Sequence, residues 1–207
     1  MKSLTITILL LGSSLLFNAQ TIGGFLSFDG QSISTSIISS GDQVKIPDHA
    51  SLDFNSTDFT LEFWIKPNFT FVNGSTGIEG IITKKSSGSS SSKGYAVYWE
   101  STVSLHRIRF NLGDGNQRTL SSKNNSNINS NGWMHIAAVF NKTIKDSAFL
   151  YIDGELVDKN SVSNITDMSN SYPLTLMAFK KASQDAGGGY MDDIRMWKKA
   201  LSQDQIQ

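Results

Sequence analysis

Alternation of apolar and polar residues runs through most of the chain and predicts β-strands. In FTLEFWIKP, residues 59–67, every second residue is apolar, which gives the strand one buried and one polar face before Pro67 ends it. Further apolar segments of strand length are found at 24–28, 43–46, 80–84, 94–100, 105–112, 133–140, 148–153, 173–180 and 190–197. The pattern therefore predicts an all-β protein.

Loops rich in Ser, Asn and Gly separate these segments, for example KKSSGSSSSKG at 84–94 and SSKNNSNINSNG at 121–132. The one helical candidate in the sequence is the tail ALSQDQIQ, where Ser202 is placed to cap a turn. About ten strands favour two packed antiparallel sheets, since a jelly-roll β-sandwich protects its strand edges without closing a barrel.

The N-terminal segment MKSLTITILLLGSSLLFNAQ places Lys2 before an uncharged apolar stretch. This order is typical of a secretory signal peptide, so we predict a leader over residues 1–19 and one domain over residues 22–207. The apolar run is short and interrupted by Gly12, and a retained membrane anchor is the alternative. The mature domain is then secreted, extracellular or in the cell envelope, with no membrane span.

Charge and cysteine content narrow the class of protein further. Lys+Arg and Asp+Glu are both 18, and loss of Lys2 with the leader leaves a net charge of −1. Such a chain has no excess of basic residues with which to bind nucleic acid. Cys is 0, so an exported domain of this length must be held by its core without disulfides.

Six segments in order resemble the secreted bacterial laminin-G-like, concanavalin A-like lectin/glucanase jelly-roll domain. They are FLSFDG at 25–30, DQVKIPD at 42–48, DFTLEFWIKP at 58–67, GWMHIAAVFN at 132–141, LYIDGELV at 150–157 and YMDDIRMWKKALSQDQI at 190–206. The resemblance implies two antiparallel sheets, often with a calcium ion, and often glycan binding or adhesion. The fold hosts lectins, glycoside hydrolases and structural modules, so function must be argued from a site.

Trp133 and His135 lie on one face of their strand because they are two residues apart. The family resemblance implies structural roles, in which Trp133 fills the core and His135 forms a hydrogen bond to a neighbouring strand or loop. Ligand contact or catalysis is the alternative. No nucleophile motif accompanies His135, and His49 and His106 have no metal-ligand spacing.

Glycoside hydrolysis needs two carboxyl groups at a defined separation. The four glutamates Glu62, Glu79, Glu100 and Glu155 are isolated in sequence, and the acid pair Glu-x-Asp-x-x-Glu of the glycosidases that share this fold is missing. We therefore predict a non-catalytic recognition or adhesion module, whose partner is a glycan or an extracellular or cell-surface protein. A glycoside hydrolase, or an accessory domain of a polysaccharide-degrading system, is the alternative, and it would depend on Glu62 or Glu100.

The segment YAVYWE at 95–100 supplies the candidate ligand-binding residues. Tyr95, Val97 and Trp99 share one face, and Ala96 and Tyr98 share the other. Aromatic faces are surfaces on which sugar rings stack, so Tyr95 and Trp99 are candidates for glycan contact. The alternative is that they fill the core, because a sandwich needs bulky residues on its inner faces.

A structural calcium site is predicted from Asp29 and Asp192. Asp29 follows the first strand of the mature domain and Asp192 begins the last, and in the resembling family these two strands lie side by side. Calcium takes six to eight oxygen ligands, so carbonyls from the turn at 40–42 and waters would complete its shell. In the alternative, Asp29 only caps a turn, and Asp193 forms a surface ion pair with Arg195.

Overall fold

The strands of the computed structural model follow the predicted alternation. The structure describes residues 7–11, 14–18, 24–28, 43–67, 77–86, 92–102, 105–121, 128, 132–162, 165–178 and 188–206. In chain order the strands are β1 (Thr7–Leu11), β2 (Ser14–Asn18), β3 (Leu26–Phe28), β4 (Val44–Ile46), β5 (Phe59–Pro67), β6 (Gly77–Lys84), β7 (Gly94–Thr102), β8 (Leu105–Gly113), β9 (Gln117–Ser121), β10 (Met134–Asn141), β11 (Ser147–Ile152), β12 (Glu155–Ser161), β13 (Leu174–Leu176) and β14 (Gly189–Trp197), with 3₁₀ turns at Ala50–Leu52 and Gln203–Gln205. Every apolar segment singled out in the sequence overlaps one of these strands.

Two antiparallel sheets form a sandwich, which confirms the predicted architecture. The larger sheet has eight strands in the order β1-β2-β14-β5-β10-β11-β12, with β3 also paired to β14. The smaller sheet has six strands in the order β4-β13-β6-β7-β8-β9. The first and last strands of the predicted mature domain do lie side by side, because Leu26 pairs with Met191 and Phe28 with Gly189.

The core lies between the inner faces of the two sheets. Alternate residues of β5, among them Phe59 and Phe63, are fully buried, and Phe110 of β8 meets them from the smaller sheet. Phe59 stacks on Phe54 with ring centroids 4.3 Å apart and meets Phe140 at 5.4 Å. Burial of one such side chain contributes about 1.5–3 kcal/mol, so the core fixes the two sheets as a rigid support for their outer faces.

The segment at 84–94, which the sequence suggested to be a polar loop, begins with two buried lysines. Lys84 is the last residue of β6, and its ammonium group lies 2.7 Å from an Asp48 oxygen and 3.1 Å from an Asp53 oxygen. It also donates to the carbonyl oxygens of Asn170 at 2.9 Å and Tyr172 at 3.1 Å. We call this set of contacts the ammonium cage; it ties β6 to the segments before β5 and β13. The segment connects β6 to β7 as predicted, but its first two lysines are buried.

β1 and β2 form a hairpin at the edge of the larger sheet. Its second strand pairs with β14, where Leu16 lies opposite Arg195 and Ser14 opposite Trp197. Removal of residues 1–19 as a signal peptide stays a prediction, since pairing in the full chain does not bear on cleavage. Among the described residues no helix has the length and apolar character needed to cross a membrane.

The C-terminal segment packs on the outer face of the larger sheet. Leu201 and Ile206 cover an apolar cluster that includes Val139 and Phe149. Ser202 precedes the 3₁₀ turn, as predicted, and its N–H donates to the side chain of Gln205 at 3.1 Å. One part of this outer face is therefore closed by the chain's own tail.

Candidate functional site

The two faces of YAVYWE lie in different environments. Tyr95 and Trp99 are each 1% exposed and belong to the core between the sheets. The Tyr95 hydroxyl donates to the carbonyl oxygen of Leu52 at 2.9 Å. Core packing, the alternative to sugar stacking, is thus the environment that the structure shows, because an enclosed ring offers no face to a ligand. Ala96 and Tyr98 point to the outer side of the smaller sheet.

That outer side carries a set of polar side chains from β7 and β8. Register places Glu100 opposite Arg107 and Tyr98 opposite Arg109, so side chains of both strands meet on one surface. We call this surface the polar face and define it by Lys85, Tyr98, Glu100, Arg107, Arg109 and Asn111. It is the candidate functional site.

An ion cluster occupies one end of the polar face. A single carboxylate oxygen of Glu100 accepts a hydrogen bond from Nε of Arg107 and lies 2.7 Å from Nη2 of Arg109. Burial by itself raises the pKa of Glu100, but the hydrogen bonds and charges of both arginines outweigh it and hold that pKa below its ordinary value. Glu100 is therefore ionised at neutral pH.

Exposure changes along the polar face. The side chains of Arg107, Arg109 and Glu100 are 25%, 21% and 19% exposed, whereas Asn111 is fully buried and Lys85 almost so. Lys85 donates to Oδ1 of Asn111 at 2.5 Å, and burial lowers the pKa of its amino group to about 8. The face is thus open to a ligand at the arginine end and closed at the lysine end.

Arg109 has a donor that the protein leaves unsatisfied. Its Nε is buried and has no hydrogen-bond partner. Buried polar groups of native proteins are nearly always satisfied by protein, water or a bound ion. The Arg109 side chain as a whole is 21% exposed, so a ligand would reach this guanidinium through its exposed atoms rather than through the shielded Nε.

Trp133 and His135 lie on the outer face of the larger sheet. Trp133 is half-buried and packs against Phe25 and Tyr190, with ring centroids 5.9 and 6.5 Å away. The expectation that Trp133 fills the core is wrong, because the inward residues of this strand are Met134 and those that alternate with it. His135 is buried, and the ring of Trp64 packs against it at a tilt of 49°, with 5.3 Å between ring centroids.

Glu62 lies beside His135 on that outer face. Its carboxylate accepts a hydrogen bond from Nε1 of Trp197 at 2.8 Å, and Nε2 of His135 lies 3.8 Å from its other oxygen. Side chains on the outer faces of two stacked sheets point away from one another, and the sheets themselves pack about 10 Å apart. Glu62 and Glu100 are therefore on opposite sides of the sandwich and cannot form the acid pair of a glycosidase, whose carboxyl groups lie within about 9.5 Å.

Burial lowers the pKa of His135, and the positive charge of Arg195 lowers it further. The carboxylates of Glu62, Asp153 and Asp193 raise this pKa, but they do not outweigh burial. A histidine whose pKa is depressed in the folded state binds its proton more readily when unfolded. Its contribution to stability is complete above the unfolded pKa of about 6.5 and is lost as the pH falls below that value.

The substitution His135→Gln should therefore flatten the dependence of stability on pH. We expect the free energy of unfolding to fall less in this variant than in the wild type between about pH 7.5 and about pH 5.5. Urea unfolding at both pH values measures it, with His49→Gln as a control at an exposed histidine. Burial also lowers the pKa of His106, so some pH dependence should remain. An equal fall in the free energy of unfolding of His135→Gln and wild type would contradict the attribution of this pH dependence to His135.

The predicted calcium ligands are only partly described. Asp29 lies outside the described residues, as does the turn at 40–42, while Asp192 is exposed and accepts the N–H of Asp193 at 2.8 Å. Arg195 lies 3.3 Å from Asp193, which is the ion pair of the alternative interpretation. No group of three or more acidic, His or Cys side chains suited to a metal occurs among the described residues. The calcium site stays a prediction.

A family model described as the concanavalin A-like lectin/glucanases superfamily matches residues 39–207. The chain therefore belongs to this laminin-G-like family, as its six sequence segments indicated. A search of curated proteins finds no match.

Solved structures with the same fold include bacterial binding domains. The binding domain of Paraclostridial mosquitocidal protein 1 is 16% identical, with a TM-score of 0.63, over 94% of this chain and 50% of that one. The Ruminococcus gnavus IT-sialidase CBM40 is 11% identical, with a TM-score of 0.61, over 88% and 95%. The binding domain of botulinum neurotoxin DC in complex with SialylT is 16% identical, with a TM-score of 0.58, over 94% and 49%. This chain thus spans about half of either toxin binding domain.

Proposed function

We propose that the chain is a secreted, non-catalytic recognition or adhesion module that binds carbohydrate at the polar face. The observation that carries the proposal is the ion cluster of Glu100, Arg107 and Arg109, which is partly exposed and retains an unsatisfied donor. Sugar sites need a few fixed polar groups that read hydroxyl and acidic substituents, and this cluster supplies both donors and an acceptor.

The family and its structural neighbours support a binding role. The neighbours include toxin binding domains, one of them in complex with SialylT, and a sialidase carbohydrate-binding module. Secretion rests on the N-terminal segment with Lys2 and its apolar run.

The state of the carboxylates favours binding over hydrolysis. A glycosidase acid must hold a proton near neutral pH, which requires a raised pKa. The pKa of Glu100 is lowered by its two arginines instead. Glu62 lies on the other side of the sandwich, so neither glutamate assists the other.

A glycan array with the purified protein tests the proposed function. We expect the wild type to bind glycans, and binding to be lost in Arg109→Ala while the melting temperature stays close to that of the wild type. Arg195→Ala is the matched control, because Arg195 faces Glu62 on the opposite side of the sandwich. If no glycan binds, or if hydrolysis is detected and is lost on replacing Glu100, the proposed function is wrong.

A further inference from the structure

We infer that the ligand of the polar face is a glycan that carries a carboxylate, and that Arg109 and Arg107 bind this group. The inference rests on the proposed function and specifies its substrate class.

The charges of the ion cluster do not cancel. Arg107 and Arg109 share one carboxylate, that of Glu100, so the cluster keeps one unit of positive charge. The chain as a whole has a formal net charge of +0, so this excess is local. An anion is therefore favoured at this end of the sheet.

The N–H groups of the two arginines that do not contact Glu100 match the planar geometry of a carboxylate. Each guanidinium has five N–H groups in a fixed plane, and the contacts with Glu100 use one nitrogen of each arginine. Arg109 is also hydrogen-bonded to Tyr98, and its Nε has no partner. Two parallel N–H groups of an arginine match the two oxygens of a carboxylate, which is a geometry that lysine cannot offer.

Spacing along β8 allows both arginines to reach one ligand group. Residues two apart on a strand share a face and lie about 7 Å from each other. Register across to β7 holds both side chains against Glu100, so their stems are fixed before a ligand arrives. Such preorganisation reduces the entropy lost on binding.

Glu100 should then oppose the ligand as well as position the arginines. Its ionised carboxylate repels a second carboxylate bound to the same guanidinium groups. Glu100→Gln keeps the size and the acceptor oxygen but removes the charge. We therefore expect this variant to bind acidic glycans about fivefold more tightly than the wild type. A purely structural role of Glu100 would predict no gain.

Titration calorimetry with matched sugars tests the inference. The acidic probes are sialyllactose and oligogalacturonate, and the neutral counterparts are lactose and galactose oligomers. We expect the wild type to bind at least one acidic probe and to bind its neutral counterpart at least about tenfold more weakly, as for loss of a charge-assisted contact. Arg109→Ala and Arg109→Lys should each lose at least about tenfold in affinity for the acidic probe, and Arg195→Ala should lose none.

The outcomes separate this inference from the proposed function. Equal or tighter binding of neutral sugars, with Arg109→Ala still defective, overturns the acidic ligand and leaves carbohydrate recognition intact. Full binding of the acidic probe by Arg109→Ala overturns the assignment to the polar face. Absence of binding to every glycan on the array overturns both. Thermal melts of each variant establish that a loss of binding is not a loss of folding.

Discussion

Replacing Lys84 with methionine is expected to lower the free energy of unfolding by about 3 kcal/mol. The substitution keeps most of the buried stem but removes the ammonium that faces the carboxylates of Asp48 and Asp53. Removing one partner of a buried ion pair typically costs about 3–5 kcal/mol, because the remaining charge stays desolvated. The lower end applies here, since Asp48 and Asp53 are 38% and 22% exposed and can regain some water.

Urea unfolding of Lys84→Met measures this loss, and Lys85→Met is the neighbouring control. Lys85 is equally buried and donates to the side-chain amide of Asn111, so its removal leaves the contacts of Lys84 with Asp48 and Asp53 in place. Asp48→Asn combined with Asp53→Asn should recover part of the stability of Lys84→Met, because no unpaired charge then remains. A loss below about 1 kcal/mol in Lys84→Met would show that the cage does not stabilise the fold.

The strands that the sequence predicted have at least one face directed into the core, and β10 and β11 are buried on both faces. β5 and β10 have strong period-two or apolar patterns because their inner residues fill the core. β9 and β12 were missed because their segments, QRTLS and ELVDKNS, are polar. β12 is the last strand of its sheet and is largely exposed, so backbone pairing with β11 rather than apolar burial makes it a strand. A pattern of alternating apolar and polar residues therefore does not identify an exposed edge strand of this kind.

The candidate site was less accessible to sequence reasoning than the fold. The two faces of YAVYWE were separated correctly, but choosing between them depends on which one meets the other sheet. The alternating polar residues of LHRIRFNLG, 105–113, were the available signal, because they put Arg107, Arg109 and Asn111 on one face. Only the register between β7 and β8 shows that this face also contains Glu100. A single sequence does not encode register explicitly, so the ion cluster could not be predicted.

Buried lysines were missed for a related reason. KKSS resembles the start of a solvated loop, since lysine is seldom fully buried unless it is paired. The partners of Lys84 are Asp48 and Asp53, 36 and 31 residues before it, and Asn170 and Tyr172, 86 and 88 residues after it. Long-range pairing of this kind leaves no local pattern. The same place in the fold contains a glycine whose role is also set by distant residues.

Gly94→Ala is expected to destabilise the protein by more than about 4 kcal/mol, and to prevent folding if the remaining stability is insufficient. Gly94 begins β7 with φ +127°, and a Cβ there would lie inside van der Waals contact of the Lys84 carbonyl oxygen and 2.7 Å from Nδ2 of Asn170. Neither atom can withdraw easily, because Asn170 donates from Nδ2 to that same carbonyl at 3.0 Å.

Gly115→Ala separates the steric clash at Gly94 from backbone strain. Gly115 has a similar φ of +112°, but a Cβ there would meet no atom within 4 Å. Both variants carry the strain of an unfavourable backbone, about 1–3 kcal/mol. Only Gly94→Ala adds the clash with the Lys84 carbonyl and the Asn170 side chain. Circular dichroism and thermal melts should show a folded, modestly destabilised Gly115→Ala and a much less stable or unfolded Gly94→Ala. Equal melting temperatures would mean that β6 and the Asn170 segment can move apart, and that the ammonium cage does not fix their separation.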